Sequence, residues 1–328
     1  MLIIRRHNTD PYFNLATEEY VLKEIKDDSF MLWRNEPSII VGKHQNTLAE
    51  INQEYVKTNK IKVVRRLSGG GAVFHDLGNL NFTFTMQGTG EGNLINFRKY
   101  TEPILEVLII LGIDAKFEGR NDLTIEGKKF SGNAMHIWKN KVLSHGTLLF
   151  SSHMPDLSGA LNADPLKFQD KAVKSVRSRV TNISEHLKQP MDVMDFSARI
   201  EKHIMEKYPD AVLYELSPRD HARIQEMTDE KYSTWEWNFG YSPQYNYRKI
   251  LRTANSGTIE FNLDVKDGMI HKVKIFGDYF NKYDTEEIEN ALKNIQHNDK
   301  LIREALQPFT ISDYFNNLTL DEFMEGLF

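Results

Sequence analysis

Apolar positions along the chain recur with two different periods, and the switch between them divides it into elements. Val21, Leu22 and Ile25 fall at helical spacing behind Asn14, which predicts a helix from Leu15 to about Asp27 capped by Asn14. The period then shortens. Met31 to Arg34 and Ser38 to Gly42 read as two strands around a turn at Pro37, and Ile61 to Val64 and Leu80 to Met86 are β-branched or aromatic runs of strand length. Helical spacing returns at Ile104, Leu105, Leu108 and Leu111, with Pro103 expected in the first turn and Gly112 as the stop. Residues 122–150 read as a meander with turns at Glu126-Gly127 and Asn140-Lys141.

Beyond the meander, Asp192 is placed to cap a helix carrying Val193, Phe196, Ile200 and Ile204, and Ser217-Pro218 opens another. Trp235 to Gly240 is expected to pack on or close the first domain. Tyr241 to Asn246 contains Pro243 and few aliphatics, so the expected division is 1–245 and 250–328. The second part reads as strands Thr258 to Val265 and Ile270 to Phe276 around an Asp267-Gly268 turn, then helices from about Thr285 and Lys300. The expected class is α+β.

Composition narrows the function. At 328 residues and 40% hydrophobic the chain has the make-up of a soluble globular protein. Its first residues turn polar after Leu2, Ile3 and Ile4, and no run approaches the roughly 20 apolar residues of a membrane span, so a cytoplasmic location is expected. Cysteine is absent, which excludes disulfides, thiolate metal sites and a cysteine acyl-enzyme. The net charge is -5, and residues 251–328 hold 8 Lys and Arg against 14 Asp and Glu, which disfavours a general nucleic-acid binder. Metal-ligand spacings such as His-Glu-x-x-His and internal repeats do not occur.

The densest chemistry lies in Arg65-Arg66-Leu67-Ser68-Gly69-Gly70-Gly71-Ala72-Val73-Phe74-His75-Asp76, with Asn79 close behind. Three glycines can turn their amides towards one point, and Arg66 offers a planar donor fork for phosphate or carboxylate. Taken alone the glycines equally describe a flexible hairpin turn. A Walker A loop is excluded, because the stretch joins two strands and lacks the Gly-Lys-Ser/Thr entry into a helix. A second motif, Lys128-Lys129-Phe130-Ser131-Gly132-Asn133, sets a lysine against a Ser-Gly pair where backbone can approach a ligand. By residue type alone these are ordinary surface lysines. The basic stretch from Leu161 to Asn182, taken alone, admits a solvated charge run or an RNA contact.

Together these motifs resemble the lipoate-protein ligases. The match comprises Arg-Arg-x-Ser-Gly-Gly-Gly-Ala-Val-Phe-His-Asp-x-Gly-Asn from Arg65, the Lys-x-Ser-Gly of Lys129, Leu143-Ser144-His145-Gly146-Thr147-Leu148-Leu149, Leu32-Trp33-Arg34-Asn35 and the C-terminal unit. The resemblance implies a biotin/lipoate protein ligase-like fold of mixed sheets with flanking helices, plus a small α+β accessory domain. It implies ATP-dependent activation of lipoate, Mg²⁺ across the phosphates, and lipoyl-domain acceptors: E2 subunits of 2-oxoacid dehydrogenases or the glycine-cleavage H protein. Lys129 then reaches substrate carboxylate and nucleotide phosphate, and Arg66, Gly71, Ala72, Val73, Phe74 and Asn79 serve the nucleotide. Gly69 and Gly70 adjoin the lipoate, Ser68 and His75 lie by the acyl-adenylate linkage, and Trp33 and His145 line the acyl pocket. Phe130 is a further candidate wall, Asp122 the candidate Mg²⁺ ligand, and 161–182 the lid. One departure is His136, where some members carry an arginine.

Competing readings are an octanoyl or lipoyl transferase, whose cysteine-dependent forms the composition excludes, and a non-catalytic lipoate or adenylate carrier. A biotin ligase would show a different Gly-Arg-Gly loop.

Overall fold

Asp10-Pro11 starts the first helix. In the computed structural model, which describes residues 1–88, 96–119, 121–161, 168–169, 179–253, 257–277, 283–315 and 318–328, the helix runs Pro11–Lys23. Asp10 accepts from the amides of Tyr12 and Phe13, and proline fills a first-turn position where a missing N–H costs nothing. The expected cap, Asn14, is instead buried one turn inside the helix. Its amide nitrogen donates to the carbonyls of Asn8 and Arg34 and to Asn35 Oδ1, so tertiary partners outbid the local capping preference. Pro103 also lies further in than expected. The helix Phe97–Ile110 begins a turn and a half earlier, where Asn96 accepts from the Lys99 amide. Gly112 follows its end with φ +80°, a left-handed stop.

Chain-internal packing separates two units. The first comprises residues 1–43, 56–161 and 174–234, the second 44–55, 162–173 and 235–328. The first unit is built on an eight-stranded sheet in the order Val212–Tyr214, Leu2–Ile4, Ser29–Trp33, Asn79–Gln87, Lys141–Leu149, Lys128–Trp138, Asp122–Ile125, Ala115–Glu118. Alternation gives it two unlike faces. Phe30, Leu80, Phe82, Phe84, Val142 and Leu148 enter a core closed by the helices Phe97–Ile110 and Val193–Lys207. The opposite face of the same strands presents Asn79, Asn81, Thr83, Thr85 and His145, all buried, beneath the helix Pro11–Lys23. A small sheet, Lys62–Arg65, Ser38–Val41 and Val73–His75, carries the glycine loop between its outer strands.

The second unit pairs Phe168–Gln169, Tyr245–Thr253, Gly257–Lys266 and Met269–Gly277 against short helices. The Trp235 ring lies over Gly268, whose φ of +71° completes the Asp267-Gly268 turn. Strand Tyr245–Thr253 begins inside the stretch expected to be a linker, because Tyr245 and Tyr247 supply the apolar side chains that aliphatics usually do. Buried His297 accepts or donates at both ring nitrogens, 2.7 Å from the Tyr245 hydroxyl and 2.7 Å from the Leu327 carbonyl. Since a carbonyl only accepts, the proton is on Nε2 and Nδ1 accepts from tyrosine. Burial lowers this ring from 6.5 to about 4 against the opposing pull of the carbonyl. Between those values the unfolded chain binds the extra proton, so stability rises with pH there and falls by on the order of 3 kcal/mol as the pH drops through the window. The protection factors of amides in Tyr245–Thr253, which compare exchange with its intrinsic rate at the same pH, are therefore expected to fall as the pH drops from 6.5 to 4, and to lose that pH slope in His297→Gln.

Candidate active site

Arg66 is 6% exposed and organises the glycine loop from beneath. Its Nη2 donates to the carbonyls of Gly69 at 2.6 Å and Gly71 at 2.8 Å, its Nη1 to Ile40 at 3.0 Å and its Nε to Ser68 Oγ at 3.1 Å. Burial lowers this guanidinium to about 10, with the charge of Glu18 acting the other way, so it remains a cation. The fork is thus directed at the loop's own carbonyls on either side of Gly70, which takes φ +92°. Arg65, fully buried, does the same for the carbonyls of Gly42 and Lys43.

A polar chain continues from the loop across the sheet face. Ser68 Oγ lies 2.6 Å from His145 Nε2, and His145 Nδ1 lies 2.9 Å from Glu18 Oε1. Thr83 donates to the same carboxylate at 2.6 Å, and the Trp33 indole donates to Thr83 at 2.9 Å. Glu18 brings the helix Pro11–Lys23 into this network with a carboxylate 2% exposed.

Lys129 reaches the site through an irregularity in its strand. Register shifts between Leu123 and Thr124, which face Ser131 and Lys129, so Phe130 is the extra residue of a bulge. The bulge turns Phe130 into the core, fully buried, and not into the acyl pocket it was expected to wall. Lys129 and Gly132 then open on the same space, the ammonium 3.1 Å from where a Cβ on residue 132 would sit. Lys129 Nζ is 2.8 Å from Asp122 Oδ1. Its backbone is bracketed by the Arg179 carbonyl and the Thr181 amide, at 2.8 and 3.0 Å. Residues 162–167 and 170–178 of the expected lid lie outside the described residues.

These parts surround one cavity of about 430 Å³, within the usual range for a small-molecule site. Of the residues expected from sequence, Trp33, Arg66, Gly69, Gly70, Gly71, Ala72, Val73, His75, Asp122, Lys129 and His145 line it. Ser68, Phe74 and Asn79 lie outside the described lining, Ser68 tying the loop to His145 and Asn79 bonding Asn81. The lining also holds Asn133, the last residue of the Lys128 motif, and Leu15, Asn81, Asn121 and Met135, which motif reading missed. The signal for Asn81 was the alternation of Asn79, Asn81, Thr83 and Thr85 with aromatic residues. Leu15, Trp33, Ile40 and Met135 give the cavity apolar walls, while Lys129, Asp122 and the loop give it a polar end.

The fold that carries this cavity has counterparts among known structures. The chain overlays on the crystal structure of P. falciparum LipL1 in complex with lipoate with a TM-score of 0.64 at 25% identity, covering 99% of this chain and 97% of that one. It overlays on lipoate-protein ligase A bound with ATP with a TM-score of 0.62 at 25% identity, over 73% of this chain and 98% of that one. Residues 10–205 match the lipoyl protein ligase A/B catalytic domain, and residues 242–327 match the bacterial lipoate protein ligase C-terminus. Lipoate-protein ligase LplJ of Bacillus subtilis is 42% identical over the full length of both chains. The chain belongs to the lipoate-protein ligase family. Among the described residues no helix is long and apolar enough to cross a membrane.

Proposed function

We propose that this chain is an ATP-dependent lipoate-protein ligase that converts free lipoate to lipoyl-AMP and transfers the lipoyl group to a lysine of lipoyl domains. The expected acceptors are E2 subunits of 2-oxoacid dehydrogenases or the glycine-cleavage H protein, in the cytoplasm. Residues 1–245 would carry the chemistry and 250–328 the accessory role. The observation that carries this reading is that Lys129 and the glycine loop line one partly apolar cavity. Lipoate and ATP occupy the two structurally similar ligases.

A carboxylate does not acylate an amine in water, because it is a poor electrophile with a poor leaving group. In the first step a lipoate oxygen attacks the α-phosphorus of ATP, and the bond to pyrophosphate breaks. Lys129 would hold the two anions together, a pairing that needs a fixed cation and not a nucleophile. Gly71, Ala72 and Val73 would lie against the nucleotide, with Gly69 and Gly70 beside the lipoate. In the second step the acceptor amine attacks the acyl carbon, the carbonyl electron pair moves to oxygen and returns as AMP leaves, and the amine loses a proton.

The donor set bears on Mg²⁺. Among the described residues no three His, Asp or Glu side chains converge, so those residues build no metal cage of their own. One carboxylate at the polar end does fit an ion carried in on phosphates, since Mg²⁺ keeps its waters and takes one or two protein oxygens. Asp122 is the residue that would hold it, and the ion would supply neutralisation of phosphate charge.

The test is mass spectrometry of an unmodified lipoyl domain incubated with the chain, lipoate, ATP and Mg²⁺. One lipoyl group on the domain lysine, with pyrophosphate released, is the expected result. Binding of lipoate and ATP with neither product would overturn the reading in favour of a carrier.

A further inference from the structure

His75 ends the strand Val73–His75, is 3% exposed, and stands edge-on to the Trp33 ring with 6.1 Å between centroids. Its Nδ1 lies 3.1 Å from Asn35 Nδ2. Its Nε2 is buried and has no protein partner among the described residues, although the ring lines the cavity. Which nitrogen carries the proton is decided by residues that do not line the cavity.

Arg6 can only donate, and its Nη2 gives a 2.6 Å bond to Asn14 Oδ1. That orients Asn14 with its Nδ2 towards the carbonyls of Asn8 and Arg34, both at 3.0 Å, and towards Asn35 Oδ1 at 2.9 Å. Asn35 is thereby fixed with Nδ2 facing His75. An amide nitrogen only donates, so Nδ1 must accept and the proton of the neutral ring sits on Nε2. Burial lowers the ring to about 3, with Arg66 and His145 adding to the effect, so the ring is neutral at physiological pH. A buried N–H without an acceptor is destabilising unless a ligand supplies one.

We infer that His75 donates a hydrogen bond from Nε2 to the acyl oxygen of the bound substrate, and that Arg6, Asn14 and Asn35 are positioning residues that set its tautomer. The inference rests on the acyl-adenylate reading of the cavity and adds a donor for the oxygen that gains charge as the acceptor amine attacks. Asn81, opposite Trp33 in the sheet, has an amide nitrogen that is likewise unpartnered among the described residues and lines the same cavity.

Asn35→Asp tests this with nearly the same shape and the opposite polarity. A carboxylate only accepts, so it draws the proton to Nδ1 and leaves Nε2 without one. Long-range ¹H–¹⁵N spectra of the full-length chain labelled with ¹⁵N-histidine, with His75→Gln to assign the resonance, read the tautomer directly. The wild type is expected in the neutral Nε2–H form, and Asn35→Asp in the neutral Nδ1–H form. Turnover of the variant should fall by roughly 10²-fold with the KM for ATP within about twofold, the size seen when one preorganised donor is lost. His75→Gln, which keeps an N–H donor, should retain more turnover than His75→Leu. A wild-type ring in the Nδ1–H form, or a tautomer switch in Asn35→Asp that leaves turnover unchanged, overturns the inference. If Asn35→Asp does not fold, the wild-type tautomer and the His75→Gln comparison decide, equal losses in Gln and Leu counting against it. Absence of adduct with the wild type would instead count against the ligase reading, and the tautomer measurement is independent of that outcome.

Discussion

Lys129→Ala is expected to lower formation of the acyl-adenylate by about 10²- to 10³-fold while the protein stays folded, an effect of roughly 3 to 4 kcal/mol on the transition state by analogy with single oxyanion donors. The reasoning is electrostatic. Two anions, a carboxylate and a triphosphate, must approach within bonding distance, and among the residues lining the polar end Lys129 is the cation whose charged atom is turned to the cavity space and not to loop carbonyls. Its side chain is 28% exposed and its carboxylate partner, Asp122, 36% exposed, so the ion pair itself contributes little to folding. The strand is held through Lys129's backbone bonds to Arg179 and Thr181, which alanine keeps. Lys128, one residue earlier and exposed, is the control and should be near wild type as alanine. Pyrophosphate release and lipoyl-domain mass are the measurements, and a Lys129→Ala protein that turns over within about threefold of wild type would remove the lysine from the mechanism.

Much of this site could be read before folding because its chemistry is local in sequence. The glycine loop, Lys129 with its Ser-Gly partner and the His145 strand each occupy a few consecutive residues, and a motif is visible when its parts are neighbours. Glu18 and Arg6 were not visible, since each is an ordinary polar residue until tertiary packing brings Glu18 to His145 and ties Arg6 through Asn14 and Asn35 to His75. Helix periodicity misled in the same region. Pro11–Lys23 is buried almost all round, including Glu18 and Glu19, so a search for one apolar face finds only part of what the helix buries. The alternation along Asn79–Gln87 would ordinarily mean one solvated face, yet Asn81 and Thr83 are buried because that face is the site. The three-residue strands Leu2–Ile4 and Val212–Tyr214 are too short to carry a period, and only their pairing identifies them. Residues 44–55 group with the second unit, a relation between distant segments that no local pattern encodes.

The second large effect is expected from a residue with no chemistry of its own. A Cβ on Gly42 would lie 2.0 Å from the Gly70 carbonyl oxygen, 3.0 Å from its carbon and 3.2 Å from Arg66 Nη2. The clash is with backbone, so in Gly42→Ala the glycine loop itself must give way, and it must do so against the bonds by which Arg66 holds the Gly69 and Gly71 carbonyls. Displacing a positioning loop by about 1 Å costs on the order of 10²-fold in rate, whereas the overpacking penalty to folding is typically about 1 to 3 kcal/mol. Gly42→Ala should therefore weaken ATP binding and lower turnover at least 10²-fold, with a modest fall in melting temperature. Gly127→Ala offers the contrast: its Cβ meets nothing within 4 Å but inherits a φ of +72°, so it should lose a little stability and keep full activity. If Gly42→Ala bound ATP like the wild type, the close approach of these two glycines would be a matter of packing alone, and the loop's shape would have to be attributed to Arg66 and not to the contact.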